Sequence, residues 1–157
     1  MPVEDIQSYG VRRLDDDEID GLLTERSVGV LGVPTDGAPL LRPMSYDYVP
    51  PDRLYFLYIL SESSRKEAAT EEGQVGRFLV YDASARYEWA SVLLTGSVSA
   101  VPEDERGAIE ETIDIAWRPE AFESVSNPRN TRLYAFEVTD RSGVAQRGPP
   151  PGYEPEL

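Results

Sequence analysis

The sequence predicts a mainly β chain: a small antiparallel barrel with helices packed against its outside. Three observations predict it. Six or seven short runs rich in aromatic and β-branched residues recur along the 157 residues, and most are joined by tight turns rather than long crossovers, which is the pattern of antiparallel neighbours. Only two stretches between them carry apolar residues at helical spacing. A glycine, Gly96, interrupts the longest apolar run, Arg86 to Val101, as a barrel corner requires.

In chain order, residues 1 to 13 show no period and are expected to form an arm. Asp15 to Arg26 has acids in its first turn and Ile19, Leu22 and Leu23 on one face, so a short helix is expected despite Gly21. Ser27 to Val33 reads as a strand, joined by the Thr35-Asp36-Gly37 turn to a second strand over Pro39 to Val49. Pro50-Pro51-Asp52 turns the chain into Leu54 to Leu60, an apolar run too short for a typical helix and read as a strand buried on both faces. Ser64 then precedes Glu67 by three residues, the spacing of a capping box, so a helix is expected from near Arg65, with Gly73 beyond its end. Val75 to Tyr81 and the long Arg86 to Val101 are the next strands. Tyr87, Trp89 and Ser91 share one face of the latter.

Pro102, the acids Glu103 to Glu105, and Ile109, Ile113 and Trp117 at fourfold spacing predict a second helix. After a loop over 118 to 131, Arg132 to Thr139 alternates as a strand. Arg141-Ser142-Gly143 is expected to turn it, with Val144 to Arg147 pairing back and the last ten residues, 148 to 157, forming a mobile tail. No repeat and no linker divides the chain, so one domain is expected.

Composition narrows the function. The formal net charge of −14 opposes binding to nucleic acid and to anionic membranes. No apolar run is long enough to span a bilayer and the N-terminus lacks a signal-peptide pattern, so a soluble, cytoplasmic protein is expected. Cysteine and histidine are both absent, which excludes disulfides, thiolate metal sites and a histidine general base. Acidity with a single lysine fits a salt-rich cytoplasm, where screening relieves self-repulsion; a GC-rich genome favours arginine equally well.

That single lysine, Lys66, stands beside Arg65 in the first turn of the helix expected after Ser64. Cations are disfavoured at this positive end of the helix dipole, whereas two cations, a hydroxyl and free helix N–H groups together make an anion site, most simply one for a phosphate. Surface pairing with Glu67, Glu71 and Glu72 is the alternative, and it accounts for the charges but not for their position. Tyr46, Tyr48, Tyr58 and Trp89 lie on strands expected to flank this turn, a surface suited to a planar cofactor carrying one phosphate.

The order VGVLGVPTDGAPLLRPMSYDYV, LYFLYILSESSRK, RYEWASVLLTGSVSAV resembles the flavin-binding split-barrel proteins of the pyridoxamine 5′-phosphate oxidase-like group, in its nitroimidazole-resistance-type branch. The resemblance covers about residues 13 to 140, with the SSRK run its most specific part. It implies an antiparallel split β-barrel and FMN as cofactor. It implies that Ser64, Arg65 and Lys66 hold the FMN phosphate, that Arg42, Pro43, Met44 and Ser45 line the isoalloxazine, and that Tyr58 and Ile59 contact the ribityl phosphate end. Trp89 and Ser91 would reach the cofactor of a second subunit in a homodimer. The flavin, not a side chain, would carry oxidoreductase chemistry on a small-molecule substrate. A late Arg-x-His-x-Arg motif and a basic residue at the position of Asp47 are both missing, so vitamin B6 oxidation is not implied. A deazaflavin or haem in the same barrel, and a flavin carrier or sensor without catalysis, are the alternatives.

Overall fold

The computed structural model describes residues 7–59, 74–112 and 131–153. Its elements are β1 (Val11–Arg13), α1 (Asp16–Glu25), β2 (Val28–Val33), β3 (Leu40–Val49), β4 (Arg53–Ile59), β5 (Val75–Ala85), β6 (Glu88–Ala100), α2 (Glu103–Thr112) and β7 (Thr131–Arg147). Antiparallel pairing runs β7-β4-β3-β2-β5-β6 and returns from β6 to β7, closing a six-stranded barrel of the expected split-barrel type. The β2–β3 and β3–β4 hairpins follow the order expected from the turns, and β5 and β6 form a third.

Alternation fills the interior. Leu31, Met44, Tyr46, Leu54, Phe56, Phe78, Val80, Val92, Leu94 and Phe136 are buried together, with the Phe78 ring 4.8 Å from Phe56 and 6.3 Å from Phe136. Such a ring contributes about 1.5–3 kcal/mol by burial, and each pair about 0.5–1.5 kcal/mol more. Gly29 makes room for this centre, since a Cβ there would sit 2.5 Å from the Phe78 ring. Gly96 marks the register shift in the β6–β7 ladder, and a Cβ on it would collide with the Glu137 carbonyl. The bend expected at Gly96 is therefore present as a bulge.

α1 closes one end of the barrel. Asp15 caps it, accepting from the Glu18 N–H at 2.8 Å while Glu18 accepts from the Asp15 N–H, and Ile19, Leu22 and Leu23 pack inward. α2 lies on the outer face of β4 and β7, where Ile109 meets Tyr55, Leu57, Leu133 and Ala135. The outer face of β3, β2, β5 and β6 is left with exposed Leu41, Val28, Val75, Tyr81 and Leu93. No helix among the described residues is long and apolar enough to cross a membrane.

The main correction concerns β7. Arg141-Ser142-Gly143 is not a turn: one strand of 17 residues runs straight through it, pairing with β4 along its first half and with β6 along most of its length. Gly143 serves packing instead, because a Cβ there would lie 2.9 Å from Leu14 Cδ1 and 3.2 Å from Ile19 Cγ1. Val11–Arg13, placed in an arm by their lack of period, form β1 against Val144–Gln146. At the other terminus, the Gly148 N–H binds the Tyr87 carbonyl at 2.7 Å and Tyr153 meets the Tyr87 ring edge-on at 5.9 Å. β5 also extends beyond Tyr81, to Ala85.

Candidate functional site

Among the described residues, the barrel's hydrogen-bonded wall is interrupted along one seam. The β3–β4 ladder runs from Val49↔Arg53 to Tyr46↔Phe56 and stops, although β3 continues back to Leu40 beside β2 and β4 continues forward to Ile59 beside β7. Facing each other across this divergence are Arg42–Ser45 on one strand and Leu57–Ile59 on the other. The Tyr46 N–H bonds to Ser27 O at 3.0 Å, so by strand alternation the backbone groups of Pro43 and Ser45 point the opposite way, towards β4. Pro43 suits this place because it has no N–H to lose from a ladder. The side chains divide by parity. Met44 is buried in the core, Arg42 and Ser45 are half-buried, and Pro43 is exposed.

Of the eleven residues singled out from the sequence, the structure thus brings Arg42, Pro43, Met44 and Ser45 to one lip of the seam. The backbone of Tyr58 and Ile59, paired with Arg132 and Thr131, forms the other. Ser64, Arg65 and Lys66, with the capping box expected there, lie outside the described residues.

Trp89 and Ser91 stand elsewhere. On the outer face of β5 and β6 they line a groove of about 300 Å³ with Leu79, Tyr81, Asp82 and Ala83. Its walls are aromatic and its polar groups few. The Asp82 carboxylate pairs with Arg26 at 2.6 Å, which offsets its charge at the groove edge. The Trp89 indole N–H donates to Gln146 Oε1 at 3.0 Å and is thereby turned away from the groove. From the seam to the strand of Trp89 the order is β3-β2-β5-β6 on one side, three strand spacings or roughly 14 Å, and β4-β7-β6 on the other, two spacings or roughly 10 Å. Within one copy of the chain the two sets of residues do not converge.

Two tyrosines expected to flank a ligand are structural. Tyr46 is buried with its ring edge-on to Phe78 at 5.3 Å, and its hydroxyl donates to the Leu23 carbonyl at 2.7 Å. Burial pushes its phenol well above the usual range. Tyr48 donates to Asp20 Oδ1 at 2.6 Å and accepts from Arg141 at 3.3 Å; burial first, then the hydrogen bond to Asp20, push it up to about 12. Both hydroxyls fasten α1 to the barrel. Inward alternation on β3 made these tyrosines core residues, a reading that periodicity alone supports for any single aromatic. The acids of the α1 first turn have the capping role expected of them, and among the described residues no group of three metal-ligating side chains gathers.

Sequence reading missed Gln146 and Tyr81. Gln146 looks like one polar residue among others near a chain end; its burial comes from the N-terminal segment, over a distance that no local pattern records. By sequence Tyr81 reads as a strand end, whereas β5 runs on to Ala85 and leaves it on an exposed face.

Comparison with known proteins supplies a family. Residues 15–145 match the family described as pyridoxamine 5′-phosphate oxidase. No curated protein matches the sequence. Among solved structures, the FAD binding protein from Mycobacterium smegmatis is similar at 15% identity and a TM-score of 0.69, over 87% of this chain and 99% of that one. The FAD and heme binding protein from the same organism is similar at 16% and 0.66, over 88% and 75%. A candidate 5-nitroimidazole antibiotic resistance protein from Bacteroides thetaiotaomicron is similar at 14% and 0.60, over 87% and 89%. At such identities the likeness shows the fold.

Proposed function

The chain belongs to the pyridoxamine 5′-phosphate oxidase family, and on that premise we propose that it is an FMN-binding flavoprotein, an oxidoreductase acting on a small molecule other than a B6 vitamer. The observation that carries this reading is the seam: β3 and β4 part where Arg42–Ser45 face Leu57–Ile59, and the Ser64-Arg65-Lys66 run follows β4 in the sequence. The residues present fit a flavin. Ser45, at the lip, carries a backbone N–H and a side-chain hydroxyl, donor and acceptor groups that a pyrimidine ring edge complements. Arg42, on the same lip, supplies positive charge where a reduced flavin would be anionic. Ser64, Arg65 and Lys66 would hold the phosphate.

Bound flavin would supply hydride or electron transfer. The chain's own residues would hold the ring between the two lips of the seam, with Arg42 on the pyrimidine side. With no histidine anywhere, none of its side chains fills the role of an imidazole acid or base.

The same reading includes a homodimer. The uncovered face of β3, β2, β5 and β6 carries Val28, Leu41, Tyr81 and Leu93, and two copies meeting there would bring the Trp89–Ser91 groove of one to the seam of the other. That accounts for two half-sites kept apart in one chain. The flavin nucleotide has a second candidate, because two of the similar structures are named for FAD. FMN is favoured by the Ser64-Arg65-Lys66 run, which suits one terminal phosphate.

The test is direct. Protein purified without added cofactor is examined for flavin absorbance, then titrated separately with FMN and FAD, while light scattering gives the mass in solution. Lys66→Ala is expected to weaken FMN binding roughly tenfold to a hundredfold, the worth of one charge-assisted hydrogen bond. Absence of binding to either nucleotide refutes the reading, and equal affinity of Lys66→Ala refutes the phosphate assignment.

A further inference from the structure

On the outer face of β6 and β7 the chain's N-terminal segment meets Gln146, the neighbour of a groove residue. Trp89 and Gln146 are direct cross-strand partners, so their side chains leave the sheet on the same side. Gln146 is only 6% exposed, the one buried polar residue among those described, and a buried amide requires partners for both its ends. It has them. Its carbonyl accepts the Trp89 indole N–H at 3.0 Å and its NH2 donates to the Tyr9 carbonyl at 2.9 Å. The orientation is forced, because an indole can only donate and a backbone carbonyl can only accept.

Gly10 closes over this amide at φ 81°, and a Cβ there would lie 3.6 Å from Gln146 Nε2 and 3.5 Å from the Pro149 carbonyl. The amide therefore lies between the groove wall and the two chain ends. With its N–H bound from behind, Trp89 offers the groove a ring surface and no donor. A planar aromatic ligand gains from that surface by stacking, whereas a released indole would swing and present a polar edge.

We propose that Gln146 is a positioning residue of the groove: it locks the Trp89 ring as an apolar wall and joins it to the backbone of Tyr9, so that groove occupancy by a planar aromatic ligand and anchoring of residues 7–10 reinforce each other. Coupling of this kind is reciprocal. Its ligand half rests on the flavin reading above; its positioning half concerns the protein alone.

The experiment separates the two. In a Trp117→Phe background Trp89 is the sole tryptophan, so its indole N–H gives one resonance in ¹⁵N-labelled protein, and hydrogen exchange is followed there and at the Tyr9 and Gly10 amides. Gln146→Leu removes both hydrogen bonds and is expected to shift the indole resonance, speed its exchange tenfold or more, and weaken FMN binding severalfold. Gln146→Glu keeps an acceptor for the indole but sets a carboxylate against the Tyr9 carbonyl. It is expected to retain indole protection while releasing the 7–10 amides, and it provides the readout if the leucine variant does not fold. FMN is expected to slow exchange at Tyr9 and Gly10 in the parent and not in Gln146→Glu. Unchanged indole exchange in Gln146→Leu, or in its absence unchanged 7–10 exchange in Gln146→Glu, overturns the proposal. If the parent binds no flavin, the cofactor reading fails while the exchange data still decide the role of Gln146.

Discussion

The Tyr48 hydroxyl lies 2.6 Å from Asp20 Oδ1, and Arg141 reaches the same carboxylate oxygen at 2.7 Å, so β3 and β7 meet on one acid of α1. Arg141 also reaches Asp16 at 3.0 Å. Asp20 is held below the usual carboxylate range, first by Tyr48 and then by Arg141.

Tyr48→Phe is expected to lower stability by about 1 kcal/mol, below the ~1.5–3 kcal/mol usual for a hydrogen bond to a charged group because Asp20 is 40% exposed and keeps Arg141. Urea denaturation at neutral pH measures it. The pH dependence has a definite sign: a phenol raised from 10 to about 12 contributes stability that is complete below pH 10 and lost as pH rises through about 12. Phenolate absorbance should show one fewer late-titrating tyrosine in the variant.

Two glycine substitutions are expected to move stability in opposite directions. Gly29→Ala places a Cβ 2.5 Å from the Phe78 ring and 2.7 Å from the Leu79 carbonyl, and should cost about 1–3 kcal/mol or more. Gly21→Ala, exposed inside α1 with nothing within 4 Å of the new methyl, should gain about 0.5–1 kcal/mol. Thermal melts of the pair under one condition decide both.

Glu18 sets an acid limit. Hydrogen bonds from Arg12 at 2.6 and 2.9 Å, then the Asp15 backbone, lower its carboxyl to about 2. The stability it adds is present above about pH 4.5 and lost as pH falls towards 2. Glu18→Gln should therefore melt earlier than the parent at neutral pH, with the gap closing on acidification.

High salt should raise the melting temperature, because a net charge of −14 is unscreened in dilute buffer. Melts with and without molar KCl check this, and an unchanged midpoint would favour the genomic explanation of the acidic composition.

Much of the barrel was legible because its strands obey local rules. Leu54 to Leu60 named a strand by length and β-branching, the Thr35-Asp36-Gly37 and Pro50-Pro51-Asp52 turns ordered the hairpins, and Gly96 marked its bulge. What escaped was decided at a distance. Gly143 reads as a turn residue beside Ser142, yet it is small because Leu14 and Ile19 press on it from 120 or more residues away in sequence. Val11–Arg13 have no period because a three-residue strand is shorter than any period. The site divided in the same manner. Arg42–Ser45 could be placed on a strand, but only the interrupted ladder shows that they border an opening, and the partner of Trp89 is invisible without the fold.

β7 touches four things in turn: β4, β6, β1 and, through Gln146, the segment containing Tyr9. As the nascent chain emerges in order, β2 to β6 can form hairpins with near neighbours, but the ring has no final stave until its last strand is made. Until then β4 and β6 expose raw edges, so the interval before β7 docks is when this protein is most exposed to sticking to its own copies.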